Sequence, residues 1–261
     1  MPFPFNGTHV YNSLENHTGI RIRPYYEHAG ITIYHGDCRD VLPQLPNVDL
    51  VLTDPPYGIG VEYASFHDTP EELAVLIREV FPLLQTAAPV VALTPGITNV
   101  HAWPKPRWIL AWVQLNAQGA RGFWGFNEWQ PIMVWGTDPF LKRGMGARQD
   151  VIKTIANPDG LSRWLRENHP CIKPLPSWKK IMAGLSPPGT KCIIDPMMGS
   201  GTSLHAAKSL GMRAIGIEIE ERYCEIAAKR LSQEVFDWEI PQTTKGGPDE
   251  GDNLFSTLES A

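Results

Sequence analysis

The chain has no apolar run approaching the ~18 residues of a membrane span. Its opening residues, Met1-Pro2-Phe3-Pro4-Phe5, lack the basic stretch and apolar core of a signal peptide. Cysteine is scarce: four residues, Cys38, Cys171, Cys192 and Cys224, with no C-x-x-C pair. That excludes a disulfide framework and a cysteine-built zinc site, and it predicts reduced thiols in a cytoplasmic protein. The eight histidines show no H-x-x-x-H or similar spacing, so no metal is expected. Internal repeats and nuclease motifs are also missing. Nor is there an excess of positive charge: the net charge of −5 argues against a basic coat for nucleic acid.

The charge that is present is unevenly spread. Residues 101–180 hold twelve Lys/Arg against five Asp/Glu, and the segment from Glu234 to Ala261 holds seven acids and one lysine. A positive middle between acidic flanks suits a surface that faces a polyanion, although charge alone is equally compatible with an uneven solvated surface. With 43% hydrophobic residues, 261 residues suffice for one large α/β domain and a small appendage.

Strand and helix signals alternate. Ile31–His35, Val48–Thr53, Pro89–Leu93, Arg107–Gln114, Pro131–Trp135, Cys192–Ile194 and Arg213–Ile217 read as strands. A short helix capped by Asp37 runs to Leu45. Thr69-Pro70-Glu71-Glu72 opens another, with Leu73, Leu76, Ile77, Val80, Phe81 and Leu84 at helical spacing. Ser177–Leu185, Thr202–Leu210 and Glu221–Val235 are further helices. Asn116–Asn127 reads as a Gly-rich aromatic loop, and Asp138–Asn168 as an inserted, basic segment of little periodicity. This order predicts a doubly wound, mostly parallel sheet. From Pro241 onward the composition is that of a disordered tail.

Two turns carry the chemistry. Asp195-Pro196-Met197-Met198-Gly199-Ser200-Gly201-Thr202-Ser203 follows a short strand and opens a helix. Its glycines allow a ligand close to the backbone, and Glu218, ending the next strand, can accept both ribose hydroxyls of an adenosine. A P-loop needs Lys after the second glycine, where Thr202 stands; a dinucleotide site needs Gly where Leu204 stands. Asp195 repels phosphate and attracts an ammonium. S-adenosylmethionine, with adenosine, ammonium and sulfonium but no phosphate, fits better than NAD or ATP.

The second turn is Asp54-Pro55-Pro56-Tyr57-Gly58. Two prolines remove two backbone donors and keep their carbonyl acceptors. The Asp54 carboxylate and the Pro55 carbonyl therefore suit an exocyclic NH₂, and Tyr57 offers a face on which a base can stack. Accepting both N–H bonds favours a pyramidal nitrogen with its lone pair free to attack a methyl group, and Asp54 stabilises the charge that develops there. A base in duplex DNA must flip out to arrive.

These residues resemble the amino-methylating DNA methyltransferases that use S-adenosylmethionine. The resemblance is to the circularly permuted β-class, adenine-N6 type, in particular to short solitary phage enzymes (Pro24-Tyr25-Tyr26 and Gly122-Phe123-Trp124-Gly125). Five motifs stand in the right order over residues 24–235. The family usually has Phe where Met197 stands. The resemblance implies the seven-stranded methyltransferase fold, Rossmann-like, with catalysis at Asp54, Pro55, Pro56 and Tyr57. It implies cofactor contacts at Asp37, Cys38, Asp54, Asp195, Pro196, Met197, Gly199, Ser200, Gly201, Thr202, Ser203, Glu218 and Ile219. In His169-Pro170-Cys171-Ile172-Lys173-Pro174, Lys173 would reach the cofactor carboxylate.

The resulting division is an arm (1–29), a catalytic half (30–137), a recognition segment (138–168), a cofactor half (169–235) and an acidic tail (236–261). Arg121, Lys142, Arg143, Arg148, Lys153, Arg163 and Arg166 are candidate phosphate contacts, while Phe123, Trp124 and Phe126 are expected to pack. The expected partner is DNA, acted on by a monomer or homodimer in a bacterial or phage-infected cytosol. Alternatives are cytosine-N4 methylation (more often with Ser in place of Asp54), an RNA or protein-amide methyltransferase, a non-catalytic nucleic-acid module, and a nicotinamide oxidoreductase, against which Leu204 argues.

Overall fold

The structure, a computed structural model, describes residues 22–63, 65–115, 121–122, 125–155 and 172–232. The chain begins with a tight antiparallel pair, β1 (Tyr26–His28) and β2 (Ile31–His35). Helix α1 (Cys38–Val41), capped by the Asp37 side chain, leads to β3 (Leu50–Thr53), α2 (Pro70–Ala87) and β4 (Val90–Leu93). Strand β5 (Trp108–Leu115) and β8 (Trp129–Gly136) flank a small ribbon, β6 (Arg121–Gly122) with β7 (Gly125–Phe126). Helix α3 (Pro139–Lys142), β9 (Val151–Ile155), α4 (Leu175–Leu185), β10 (Cys192–Asp195), α5 (Thr202–Ser209), β11 (Arg213–Glu218) and α6 (Glu221–Ser232) complete the described elements.

Nine strands form one sheet in the order β1-β2-β11-β10-β3-β4-β8-β5-β9. The central five, β2 to β4, are parallel. β8 runs against both β4 and β5, and β9 is parallel to β5. The expected seven-stranded sheet is thus corrected to a mixed nine-stranded one. The two additions are edge strands. β1 is three residues long, below what a pattern reveals, and lies in the segment read as an arm. β9 lies in the segment read as an insertion; its inward residues are Ile152 and Thr154, while Val151 and Ile155 point outward, so apolarity does not mark the buried face. Thr154 is tolerated inside because its hydroxyl accepts from Trp112 Nε1 at 2.9 Å and pairs with the Ser177 hydroxyl at 3.1 Å. The loop expected at 116–127 likewise contains the β6–β7 ribbon. The acidic tail and most of the arm lie outside the described residues.

Side chains alternate between two cores, one on each face of the sheet. Leu50 and Leu52 face α4, α5 and α6 through Trp178, Ile181, Leu204 and Ala227. Val51 faces α1 and α2 through Val41, Leu73, Ile77, Val80 and Leu84. Helix α2 starts where expected: Thr69 caps it by accepting the Glu72 N–H, and Pro70 occupies the first position.

Glycine is obligatory on β11 for packing. A Cβ on Gly216 would lie 2.3 Å from Met198 Sδ and 2.7 Å from a Leu204 methyl. Gly216→Ala therefore overpacks the sheet beneath the Gly-rich turn. It should lower unfolding free energy by about 1–3 kcal/mol, read from the urea midpoint; an unchanged midpoint would show that Met198 and Leu204 yield freely.

Candidate active site

The strand order reverses direction of connection between β10 and β3. One strand leads outward through α5 to β11, the other through α2 to β4. The crevice at such a switch point, outside the carboxyl ends of the strands, is where doubly wound sheets hold ligands. β10 and β3 pair directly, Ile193 with Leu50 and Ile194 with Val51. The Thr53 hydroxyl, at the end of β3, donates to Asp195 Oδ1 at 2.7 Å across 142 residues of sequence. The two sequence motifs thus meet, as their order predicts.

A cavity of about 310 Å³ opens there, within the size range of small-molecule sites. Every cofactor residue named above lines it except Gly201. Gly201 instead faces α6: its φ is +77°, and a Cβ would come within 2.8 Å of Ala227. Asp195 is buried and accepts from Thr53, from the Ser203 hydroxyl and from the Met197 N–H at 3.2 Å. Burial raises its pKa to about 6, against the pull of those donors. Its carboxylate is thus occupied in shaping the turn, besides bordering the cavity.

Glu218 ends β11, 8% exposed, with Oε2 accepting from Gly199 N–H and Oε1 from Glu220 N–H, both at 2.9 Å. Burial raises its pKa to about 7. At the far wall, Asp37 caps α1 and grips Arg39, whose guanidinium also reaches Glu79 at 2.7 Å. That Arg39 hydrogen bonding holds the Asp37 carboxyl below its usual range. Arg230 went unnoticed in the sequence. It reaches from α6 to the Ser200 carbonyl and lies 3.1 Å from the Ser200 hydroxyl, bracing the turn from behind. Its only signal was position, three residues after the inward-facing Ala227.

The Asp-Pro-Pro-Tyr turn holds its acid tightly. Asp54 Oδ1 accepts from the Tyr57 hydroxyl at 2.7 Å and from the Thr94 hydroxyl at the end of β4. Asp54 Oδ2 pairs with Lys173 Nζ at 2.8 Å. Tyr57 is partly buried and its pKa raised, by desolvation first and by the Asp54 charge second. Its ring lies against Gly96, where a Cβ would come 3.1 Å from Cδ2. Asp54 and Pro56 border the cavity, whereas Pro55 and Tyr57 do not. Asp68 fixes the loop that follows: 4% exposed, it accepts from Gly58, Ile59 and Val61 N–H groups at 2.6, 3.1 and 3.0 Å. Tyr63, Phe66 and Leu76 add an apolar wall. Thr94, Asp68 and Asn99, whose Nδ2 donates to the Tyr57 carbonyl at 2.6 Å, were not foreseen. Each is an ordinary turn residue in sequence, and only its partner reveals it.

The basic residues do not gather at the cavity. β8 runs backward, so Gly136 lies level with Val90, at the start of the parallel strands. Lys142, Arg143 and Arg148 follow, on the edge opposite the catalytic turns. There Arg143 donates to the Pro188 carbonyl, and Arg148 donates to the Gly184 carbonyl and pairs with Asp138 at 3.0 Å. Lys153 is exposed in mid-strand β9. Arg121 lies on the β6–β7 ribbon; the side chains of Arg121 and Phe126, and residues 123–124, 163, 166 and 169–171, are outside the described residues. Among the described residues no group of three His, Cys, Asp or Glu could hold a metal ion, and no helix is long and apolar enough to cross a membrane.

Residues 101–229 match the model of the N6/N4 DNA methylase family. Among individual proteins, the chain is similar to the type II methyltransferase M.ScaI of Streptomyces caespitosus, 26% identical over 81% of this chain and 84% of the relative. It is 25% identical to the DNA adenine methyltransferase YhdJ of Escherichia coli K12, over 77% of this chain and 82% of that one. In fold it resembles the crystal structure of the M1.HpyAVI–SAM complex, with a TM-score of 0.57 at 23% identity over 77% of this chain and 99% of that chain. It also resembles the cytosine-N4-specific PvuII DNA methyltransferase, with a TM-score of 0.60 at 16% identity over 82% and 90%.

The raised carboxyl of Glu218 has a measurable consequence. Its folded value of about 7 lies above its ordinary 4.5, so the folded chain binds the proton more tightly. The stability this contributes is complete below 4.5 and is lost as pH rises toward 7; Asp195 acts in the same direction between 3.8 and about 6. The Tm of the free protein should fall across that window, and Glu218→Gln should flatten the fall. A wild-type Tm that climbs from pH 4.5 to 7 in parallel with the variant would contradict it.

Proposed function

We propose that this chain transfers a methyl group from S-adenosylmethionine to the exocyclic N6 amine of an adenine flipped out of DNA. The observation that carries the reading is the Thr53–Asp195 hydrogen bond. It sets the acid that receives an amine and the turn that borders the cofactor cavity at adjacent strand ends. The cavity suits this cofactor by its own chemistry. Glu218 presents a buried carboxylate for a ribose diol, Asp37 and Cys38 border the adenine side, and the Gly turn carries no lysine for a phosphate.

S-adenosylmethionine supplies, when bound, the electrophilic methyl group. The chain supplies orientation and charge. Asp54 Oδ1 is filled by two hydroxyls and Oδ2 already takes Lys173 Nζ, which leaves one lone pair of Oδ2 for an N–H group of the amine; Pro55, outside the cavity lining, is the proposed carbonyl acceptor for the other. An anionic acceptor stabilises the positive charge that grows on nitrogen as the bond forms, and it does so more strongly in the transition state than before it. Phe66 and Leu76 keep the site apolar around that charge. DNA approaches from the carboxyl edge of the sheet, so Arg121 on the ribbon remains a proposed phosphate contact. Lys142, Arg143 and Arg148 do not.

Cytosine N4 is the alternative target, an amine of equivalent chemistry, and the fold likeness to the cytosine-N4-specific PvuII enzyme keeps it in view. Asp at the head of the motif supports adenine. Mass spectrometry of nucleosides from treated DNA decides: N6-methyladenine is expected, N4-methylcytosine would move the target, and unmodified DNA would end the proposal. Asp54→Ala should keep cofactor affinity and lose at least about a hundredfold in kcat; near-normal turnover by that variant would refute the mechanism.

A further inference from the structure

Lys173 stands in the segment whose resemblance assigned it to the cofactor's carboxylate. Its contacts point elsewhere. Nζ lies 2.8 Å from Asp54 Oδ2 and 3.2 Å from the Tyr57 hydroxyl, and 5.2 Å from the centre of the Tyr57 ring. The pair is well covered, with side-chain exposures of 15% and 18%. Burial opposes the ammonium charge, but Asp54 and then Tyr57 more than compensate, so the lysine stays protonated well above its usual range.

The ionisable groups facing Asp54 come from three places: Tyr57 on its own loop, Lys173 from the segment before α4, and Asp195 from the end of β10. Asp195 is a second acid beside it, and two neighbouring carboxylates disfavour joint ionisation. Lys173 is the cation set against them. Pro174 follows it and starts α4, which Trp178 and Ile181 anchor in the core. The ammonium is therefore presented from two residues before that anchored helix.

We propose that Lys173 is a positioning residue for methyl transfer: it fixes the Asp54 carboxylate so that the remaining lone pair of Oδ2 meets the target amine. This rests on the function proposed above. Lys173 holds the base-gripping half of the site together with Thr94, which fills Oδ1 from β4.

Lys173→Gln keeps much of the length and removes the charge. At saturating cofactor its kcat should drop on the order of tenfold to a hundredfold, with the cofactor Kd from calorimetry within about twofold of wild type. Lys173→Arg, which keeps the cation, should restore the rate in large part, and this also controls for misfolding. A loss confined to cofactor affinity, or a Lys173→Arg variant as slow as Lys173→Gln, would overturn the role of Lys173 and leave the function standing. A wild-type chain that leaves DNA unmodified would overturn both.

Discussion

The pairing of β3 with β10 is the constraint on which everything else rests. The two strands contribute buried residues to both faces of the sheet and end together. The Thr53 hydroxyl then ties the two turns with one buried hydrogen bond. Such a bond contributes only about 1 kcal/mol net to stability. Its value is positional, because it fixes the distance between an acceptor-only turn and a cofactor-bordering turn that no local sequence preference could set. In a site meant to transfer one carbon between two molecules, small errors in that distance cost large factors in rate.

Around that join the chain buries charge in two different ways. Asp195 and Glu218 are satisfied by hydroxyl and backbone donors without a cation, and burial, outweighing those donors, makes their carboxyls harder to ionise. Asp54 has an ammonium and two hydroxyls. The buried acids are thereby split into two held by neutral donors and one, Asp54, held by a cation. Removal of a partner from a buried ion pair leaves an uncompensated charge, so Lys173 and Asp54 are bound to each other's presence.

Much of this was legible in the sequence, and what was not is instructive. The parallel strands, the Pro70 helix start and the two motif turns carry their signals within a few residues of themselves. Edge strands β1 and β9 do not: one is too short and the other hides a threonine inside. Thr94, Asp68, Asn99 and Arg230 matter through partners 7 to 42 residues away, and sequence spacing carries no record of such contacts. Local charge balance carries no direction in space: the reversed course of β8 leads Lys142, Arg143 and Arg148 toward the edge where the parallel strands begin.

The strand order also constrains how the chain comes into being. Between β2 and β3, neighbours in sequence, the sheet inserts β11 and β10, the last two strands of the described chain. A nascent polypeptide that has emerged only as far as α4 holds two unpaired parallel edges with a gap between them. Such long-range parallel pairing is slow and leaves edges unpaired until it forms. The final parallel unit, β10-α5-β11, is what fills the gap. Two pieces divided between β9 and α4 would each carry a complementary half of the socket.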